Sequence, residues 1–455
     1  MKKLTANKKK LNPRMEGKVM YKKSRLLLAI SLAFIMSLAS IQTVIAAGDP
    51  VTGSESKPAE AAITKLLKMP IGTEIPDVTF KFEATPIKVD GINYNTSNMP
   101  PLGASGIISI KYTGNELNDK NGTTALGITT VPNESGNIFQ GVTWPHAGEY
   151  VYEIKEVKNT NPVIDADANQ DLKYNETTKY TITVYVRERK EASGTYYVYA
   201  YGSKITVIDN SDQEEGDKVD ATPKDPLVTG DYSKMIFTNT YVKTNGGTDP
   251  KTDDKLFVSK NVDGEFASTS VYFDYKLTLT VPTLVSGTPV YKAYVVEDID
   301  SVSTVVTSAS NGIISGSDEY GSYINFTSGT ENTFHLKDGQ KLVFVNTPVG
   351  TNYKVTELAA NAYKPTVTVI YNGKTLFTEV GSLNTGLAVP STAHPDPLYV
   401  GESTTGAKFV NTRDEVLPTG LNLSDLPFIG IILLAIASLA LFIGLKTRKK
   451  KGCAQ

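Results

Sequence analysis

The chain carries one cysteine in 455 residues, Cys453, and it lies in the basic C-terminal tail. Everything before that tail is therefore without disulfides, and any covalent stiffening of a secreted form has to use other chemistry. Charge of one sign is also missing. Forty-six Lys and Arg against 48 Asp and Glu leave a net −2, no basis for binding nucleic acid or anionic lipid. The three histidines, His146, His335 and His394, are scattered, with neither metal-ligand spacing nor a nucleophile beside them. No phosphate-binding glycine loop is present. Asp165 to Asp171, DADANQD, has the acidic spacing of a calcium loop, but Gln170 stands where such a loop needs glycine, and a solvated turn is preferred. No metal, no cofactor and no enzymatic activity are expected.

Long apolar runs occur only at the two ends. Lys and Arg dominate as far as Arg25, Leu26 to Ala47 is apolar, and the run closes on the small residues of TVIAAG. That order predicts a secretory signal peptide over residues 1–47, cut after Ala46 or Ala47, with an uncleaved anchor as the alternative and Met15 and Met20 as alternative starts. At the other end Leu426 to Leu445 is long and apolar enough to cross a bilayer as a helix. The basic residues from Lys446 onward place the tail, 446–455, on the cytoplasmic side. The residues between would then lie outside the membrane.

That interior reads as all-β. Residues 48–60 are small and polar, a flexible leader. KYTITVYV (Lys179 to Val186) alternates, YYVYAYG (Tyr196 to Gly202) follows across a turn, and PTVTVIYNGKTLF (Pro365 to Phe377) contains an Asn372-Gly373 hairpin turn. In the tyrosine run one side is expected in the core, the other being a subunit contact or ligand platform. No amphipathic helix stands out, and many short strands between turn residues point to β-sandwiches. A polar Gly/Asp/Thr stretch divides the interior, giving a first sandwich over 61–243, a linker over 244–254 and a second sandwich over 255–414.

The halves repeat one another. Each has an early lysine in a β-type run, Lys65 in AITKLL and Lys260 in LFVSKNV. Each then has Tyr-x-Ile/Val-x-Glu, ending at Glu156 and Glu357, and closes on Phe-x-Asn-Thr, with Asn239 and Asn411. Lysine and glutamate are 91 and 97 positions apart, glutamate and asparagine 83 and 54, so the first half carries an insertion there. The insertion includes the acidic stretch Asp209 to Asp225, read as a solvated loop.

Near the C-terminus, Val416, Leu417, Pro418, Thr419 and Gly420 followed by an apolar helix and a basic tail resemble the cell-wall sorting signal of Gram-positive surface proteins. The resemblance implies that a sortase cuts between Thr419 and Gly420 and hands the threonine carbonyl to an amine. The common pentapeptide is L-P-x-T-G; here proline is third, which resembles the variant of some streptococcal pilins and implies a dedicated, pilin-specific sortase. The repeated order over residues 60–420 is similar to the two-domain, isopeptide-bonded streptococcal pilins with FctA-like linkage domains. What that implies is two tandem immunoglobulin-like (CnaB-like) sandwiches. In each, a first-strand lysine would join a last-strand asparagine as an amide, promoted by a buried acid: Lys65, Asn239 and Glu156, then Lys260, Asn411 and Glu357. Lys68 is an alternative amine, and Asn346 in a second FVNT is treated as a decoy.

The chemistry suits those residue types. An ammonium is no nucleophile, and apolar burial favours its neutral form. A carboxyl kept protonated by the same burial can hydrogen-bond the amide oxygen and protonate the leaving nitrogen. The same resemblance implies an acceptor lysine for the next subunit; Lys234, in DYSKMIFTN, is preferred over Lys204, in YGSKITV. The chain is thus expected to be a structural subunit, the backbone, of a sortase-assembled pilus on a Gram-positive cell wall. Its expected partners are the sortase, further pilin copies or ancillary pilins, peptidoglycan and a host ligand, with no nucleic acid. The alternative is a monomeric wall-anchored adhesin or stalk.

Overall fold

The computed structural model describes residues 51–93, 99–116, 123–164, 169–225, 227–228, 230–413 and 426–451. The expected signal peptide, the sorting pentapeptide 416–420 and the first four residues of DADANQD, 165–168, lie outside the described residues.

Four β-sheets in two facing pairs make up residues 51–413. In the first pair, a five-stranded sheet carries Thr64–Pro70 and Ile236–Lys243 side by side. An eight-stranded sheet opposite it carries Val78–Val89, Gly148–Asn161, Lys179–Lys190 and Tyr196–Asp209. Alternation along these strands explains the layering: in Val78–Val89 every second residue from Val78 to Ala84 is buried, which turns Phe80 and Phe82 inward. The first core consists of those residues with Tyr112, Tyr152, Tyr180 and Phe237. In the second pair, a nine-stranded sheet carries Leu256–Asp263, Thr405–Thr412, Lys364–Tyr371 and Lys374–Val380. A five-stranded sheet carries Phe273–Thr280 and Asn352–Glu357. A separate core built on Tyr275, Phe326, Phe334 and Phe409 lies between them.

In both pairs the first long strand lies parallel to the last, Lys65 opposite Phe237 and Lys260 opposite Phe409. Parallel neighbours need a long crossover, and here the crossover is nearly the whole sandwich.

Residues 51–60, read as leader, are laid against the first sandwich. Val51–Thr52 pairs with Gly202 and Ser203, and the Ala59 amide donates to the Ala200 carbonyl. The acidic stretch is exposed along most of its charges, yet Lys218–Val219 pairs with Ile205 and Thr206, and Gln213 bonds Tyr180 and the Lys234 carbonyl. In the tyrosine run, Ala200 turns inward with Val198 packed against the core, while Tyr197 and Tyr199 stack on the other face and Arg187 covers Tyr201.

The linker is docked along its start. The Asn245 amide donates to Thr347, Asn346 to Gly247 and Val349 to Lys243. Gly350, at φ 81, sits so close to the turn at Pro70 that a Cβ there would fall 2.6 Å from the proline Cβ. Glu402 binds the Lys243 ammonium and accepts from the Glu74 amide at 2.8 Å. A helix, Leu426–Lys451, follows beyond residue 425; its apolar part, Pro427–Lys446, is long enough to cross a membrane.

Candidate functional site

The period of two in a strand explains the spacing of the sequence repeats. Tyr152, Ile154 and Glu156 share one face, as do Tyr353, Val355 and Glu357. In both strands that face points into the sandwich. Phe237 and Asn239 share a face, as do Phe409 and Asn411, and all four are buried. Because the lysine strand runs parallel beside the asparagine strand, each lysine lies opposite the phenylalanine and two positions from the asparagine, on the same face. The acid comes from the opposite sheet.

Each sandwich consequently brings its three residues together. Lys65 Nζ donates to Glu156 Oε1 at 2.6 Å and Oε2 at 2.8 Å, and Asn239 Nδ2 donates to the same Oε1 at 2.8 Å. In the second, Lys260 Nζ and Asn411 Nδ2 reach Glu357 Oε1 at 2.6 and 2.7 Å. Both lysines are fully buried, and the glutamate side chains are 4% and 0% exposed. One carboxyl oxygen therefore touches both the amine and the amide nitrogen at each site.

Burial governs the protonation. It lowers Lys65 and Lys260 to about 8, against the opposing pull of their glutamates. It raises Glu156 and Glu357 in turn, against the opposing pull of the lysines. Both shifts favour a neutral amine beside a neutral acid. Aromatic rings close over the nitrogens: Lys65 Nζ is 4.7 Å from the centre of Phe80, Lys260 Nζ 4.0 Å from Phe273.

One expected contact differs. The acid meets the amide nitrogen, not the amide oxygen. Asn239 Oδ1 accepts instead from the Asn175 amide at 3.3 Å, and Asn411 Oδ1 has no hydrogen-bond partner among the described residues.

Sequence reading missed the aromatics around the sites. Phe80, Phe82, Phe273 and Tyr275 form an aromatic-x-aromatic pair some fifteen residues after each lysine, a repeat that was there to be seen. Tyr112 crosses the sandwich to donate to the Lys65 carbonyl at 2.8 Å and the Val131 carbonyl at 2.9 Å. Tyr275 lies against Glu357. Neither role has a local sequence signal.

Lys68, three residues along the strand from Lys65, is half-buried, with no hydrogen bond to an acid among the described residues. Asn346 lies away from both triads, exposed at φ 50 and bonded to the linker. Lys234 is half-buried over Tyr232 at 4.4 Å and donates to the Gly230 carbonyl at 3.1 Å. Lys204 is half-buried on Tyr196–Asp209, with no side-chain hydrogen bond or ion pair among the described residues. Among those residues no group of His, Cys, Asp or Glu could hold a metal.

A family model described as a domain of unknown function (DUF7601) matches residues 254–413, the second sandwich. No curated protein matches the chain. Among solved structures, the major pilin from Streptococcus pyogenes is 18% identical, with a TM-score of 0.30, over 79% of this chain and 100% of that one. A T-13 major pilin from the same organism is 18% identical, with a TM-score of 0.26, over 81% and 100%. A pilus-presented adhesin is 13% identical, with a TM-score of 0.20, over 52% and 36%. Likenesses this remote add nothing to the side-chain geometry.

Proposed function

We propose that this chain is a structural subunit of a covalent, sortase-assembled surface pilus, and that each sandwich joins its lysine to its asparagine. The observation that carries the cross-link is the carboxyl oxygen shared by amine and amide nitrogen, repeated in two independently built cores. In the reaction Lys Nζ, neutral, attacks Asn Cγ. The glutamate takes a proton from the attacking nitrogen and delivers one to Nδ2, the Cγ–Nδ2 bond breaks, ammonia leaves, and the acid is restored. It runs once per site, as maturation and not turnover.

The mass of the intact ectodomain tests this: it should fall two ammonias below the sequence value. A mass equal to the sequence would remove the cross-links.

Anchoring and polymerisation rest on the pentapeptide at 416–420, the apolar helix and the basic tail, in that order. In this reading the sortase transfers the Thr419 carbonyl to Lys234, with Lys204 the second choice. The cross-links suit such a fibre, because tension entering through the first and last strands of a sandwich would pass through the amide between them. Boiled wall extracts from the producing cells should give a ladder of covalent multimers that Lys234→Ala abolishes. A single band in the wild type would favour the anchored monomer, and an unchanged ladder in the variant would move the acceptor to Lys204.

A further inference from the structure

In each sandwich one aromatic ring stands beside the acid on the neighbouring strand of its sheet. In the first it is Phe82, paired with Glu156; in the second it is Tyr275, paired with Glu357. The two rings fill matching places. Phe82 packs on Phe237 at 4.9 Å between ring centres and Tyr275 on Phe409 at 5.4 Å, and each of those partners lies two residues before the reacting asparagine. The second sandwich therefore has a hydroxyl where the first has none, and that hydroxyl lies against the Glu357 carboxyl.

The polar atoms around that place differ in step. In the first site Lys65 Nζ donates to both oxygens of Glu156, and the Asn175 amide donates to Asn239 Oδ1 at 3.3 Å. In the second, Lys260 Nζ and Asn411 Nδ2 both go to Glu357 Oε1. Glu357 Oε2, Asn411 Oδ1 and the Tyr275 hydroxyl are buried there with no hydrogen-bond partner among the described residues. Burying even one polar group unpaired is unfavourable, and three surround this one carboxyl.

The hydroxyl is the group able to serve the other two at once. A neutral Glu357 that accepts two N–H donors on Oε1 keeps its proton on Oε2. A phenol oxygen can accept from that O–H while its own hydrogen points elsewhere. Burial first, and then the charge of Glu357, hold the phenol protonated well above the ordinary tyrosine range, so it stays a donor. Asn411 Oδ1 is where negative charge collects as Lys260 Nζ attacks Cγ.

We propose that Tyr275 is a further catalytic residue of the second cross-link: its hydroxyl accepts from Glu357 Oε2 and donates to Asn411 Oδ1, the part that the Asn175 amide plays in the first. As Nζ bonds to Cγ, the carbonyl electron pair moves onto Oδ1, and the hydrogen bond from Tyr275 strengthens. When the Cγ–Nδ2 bond breaks and ammonia leaves, that pair returns to form the carbonyl of the new amide. Tyr275 keeps its proton throughout. The inference rests on the cross-link reading above.

The test reads both cross-links in the same molecules. The full chain is made in a cell-free reaction, stopped with acid at intervals and digested, and mass spectrometry follows the Lys65–Asn239 and Lys260–Asn411 peptides. Tyr275→Phe should slow the second link roughly a hundredfold, the scale of one lost oxyanion donor, and leave the first at its wild-type rate. A phenylalanine fits there, as Phe82 does in the matching place. Long incubation should bring the variant to the same two links, so rate and not final stability is the readout. A ring-fluorinated tyrosine in place of Tyr275, a stronger donor of nearly the same shape, should keep the second rate at or above the wild-type level. An unchanged rate in Tyr275→Phe overturns the role of the hydroxyl and leaves the cross-link standing. Slowing of both links together, or a fluorinated variant as slow as Tyr275→Phe, traces the loss to folding or packing and overturns it too. No Lys260–Asn411 peptide in the wild type removes the cross-link itself, and this role with it.

Discussion

The two triads match almost atom for atom, while the sheets that hold them differ. In the first sandwich the long hairpin after the acid, Lys179–Lys190 with Tyr196–Asp209, continues the acid's own sheet by pairing with Gly148–Asn161. In the second, the corresponding hairpin, Lys364–Tyr371 with Lys374–Val380, crosses over and pairs with the asparagine strand. The larger sheet is therefore the acid's in one half and the lysine's in the other. A site of this kind needs three strands in register and a dry space between two sheets; which sheet is widened is free to vary. Local polar contacts vary too. Glu156 uses both oxygens on Lys65 and Asn239 has a backbone donor, whereas Glu357 uses one oxygen on Lys260 and Asn411 has no such donor among the described residues.

The sharpest way to break the equivalence is to remove one acid. Glu156→Ala or Glu357→Ala should each leave the protein only one ammonia below its own sequence mass, where the wild type is two below. Each should also weaken its own sandwich by about 5 kcal/mol, the loop-entropy value for a cross-link closing more than a hundred residues. Mass and calorimetry check both, and an undiminished ammonia loss would end the assigned role of the acid.

Next in size is a pH effect. With Asn239→Ala and Asn411→Ala the amines stay free. Burial holds them at about 8, below the ordinary lysine value, so between those limits the unfolded chain binds more protons. Stability of that variant should rise as pH climbs from about 8 toward 10.5 and be lost again on the way down. Denaturant midpoints across that range read it; the cross-linked wild type, lacking those amines, should show no such rise.

Gly350→Ala sharpens a different contrast, between a docked linker and a loose one. The added methyl meets Pro70 in a packed joint, a cost of about 1–3 kcal/mol. Trypsin should then cut sooner at Lys251, with the ammonia loss unchanged. The smallest effect is reserved for Tyr275→Phe. The buried Tyr275 hydroxyl has no hydrogen-bond partner among the described residues, so losing it should leave the second sandwich as stable or up to about 1 kcal/mol more stable, and the first untouched. Unfolding of the two halves followed separately would show whether the difference is local.

The repeat was legible because strand periodicity writes itself into spacing: Tyr-x-Ile-x-Glu and Phe-x-Asn are each one face of a strand. The hairpin's choice of sheet was not legible. KYTITVYV and PTVTVIY have the same alternation, and alternation says that a strand has a buried face without saying which neighbour it pairs with. The second FVNT shows the same limit. Its letters match those of the last strand, yet Asn346 turns at φ 50 into the joint, because position in the sheet and not the tetrapeptide decides which face an asparagine presents.

By itself the sequence determined an all-β interior, its division into two like halves and the apolar helix near its C-terminus, since these follow from local periodicity, repeats and composition. It also named the six residues that the fold brings together as two triads. Only the tertiary structure decided that a single carboxyl oxygen serves amine and amide, that the aromatic rings of the opposite sheet close over the nitrogens, and that the start of the linker is held as a joint. Each of those depends on distances across two sheets or between two sandwiches, set by how whole faces pack, and no stretch of neighbouring residues encodes them.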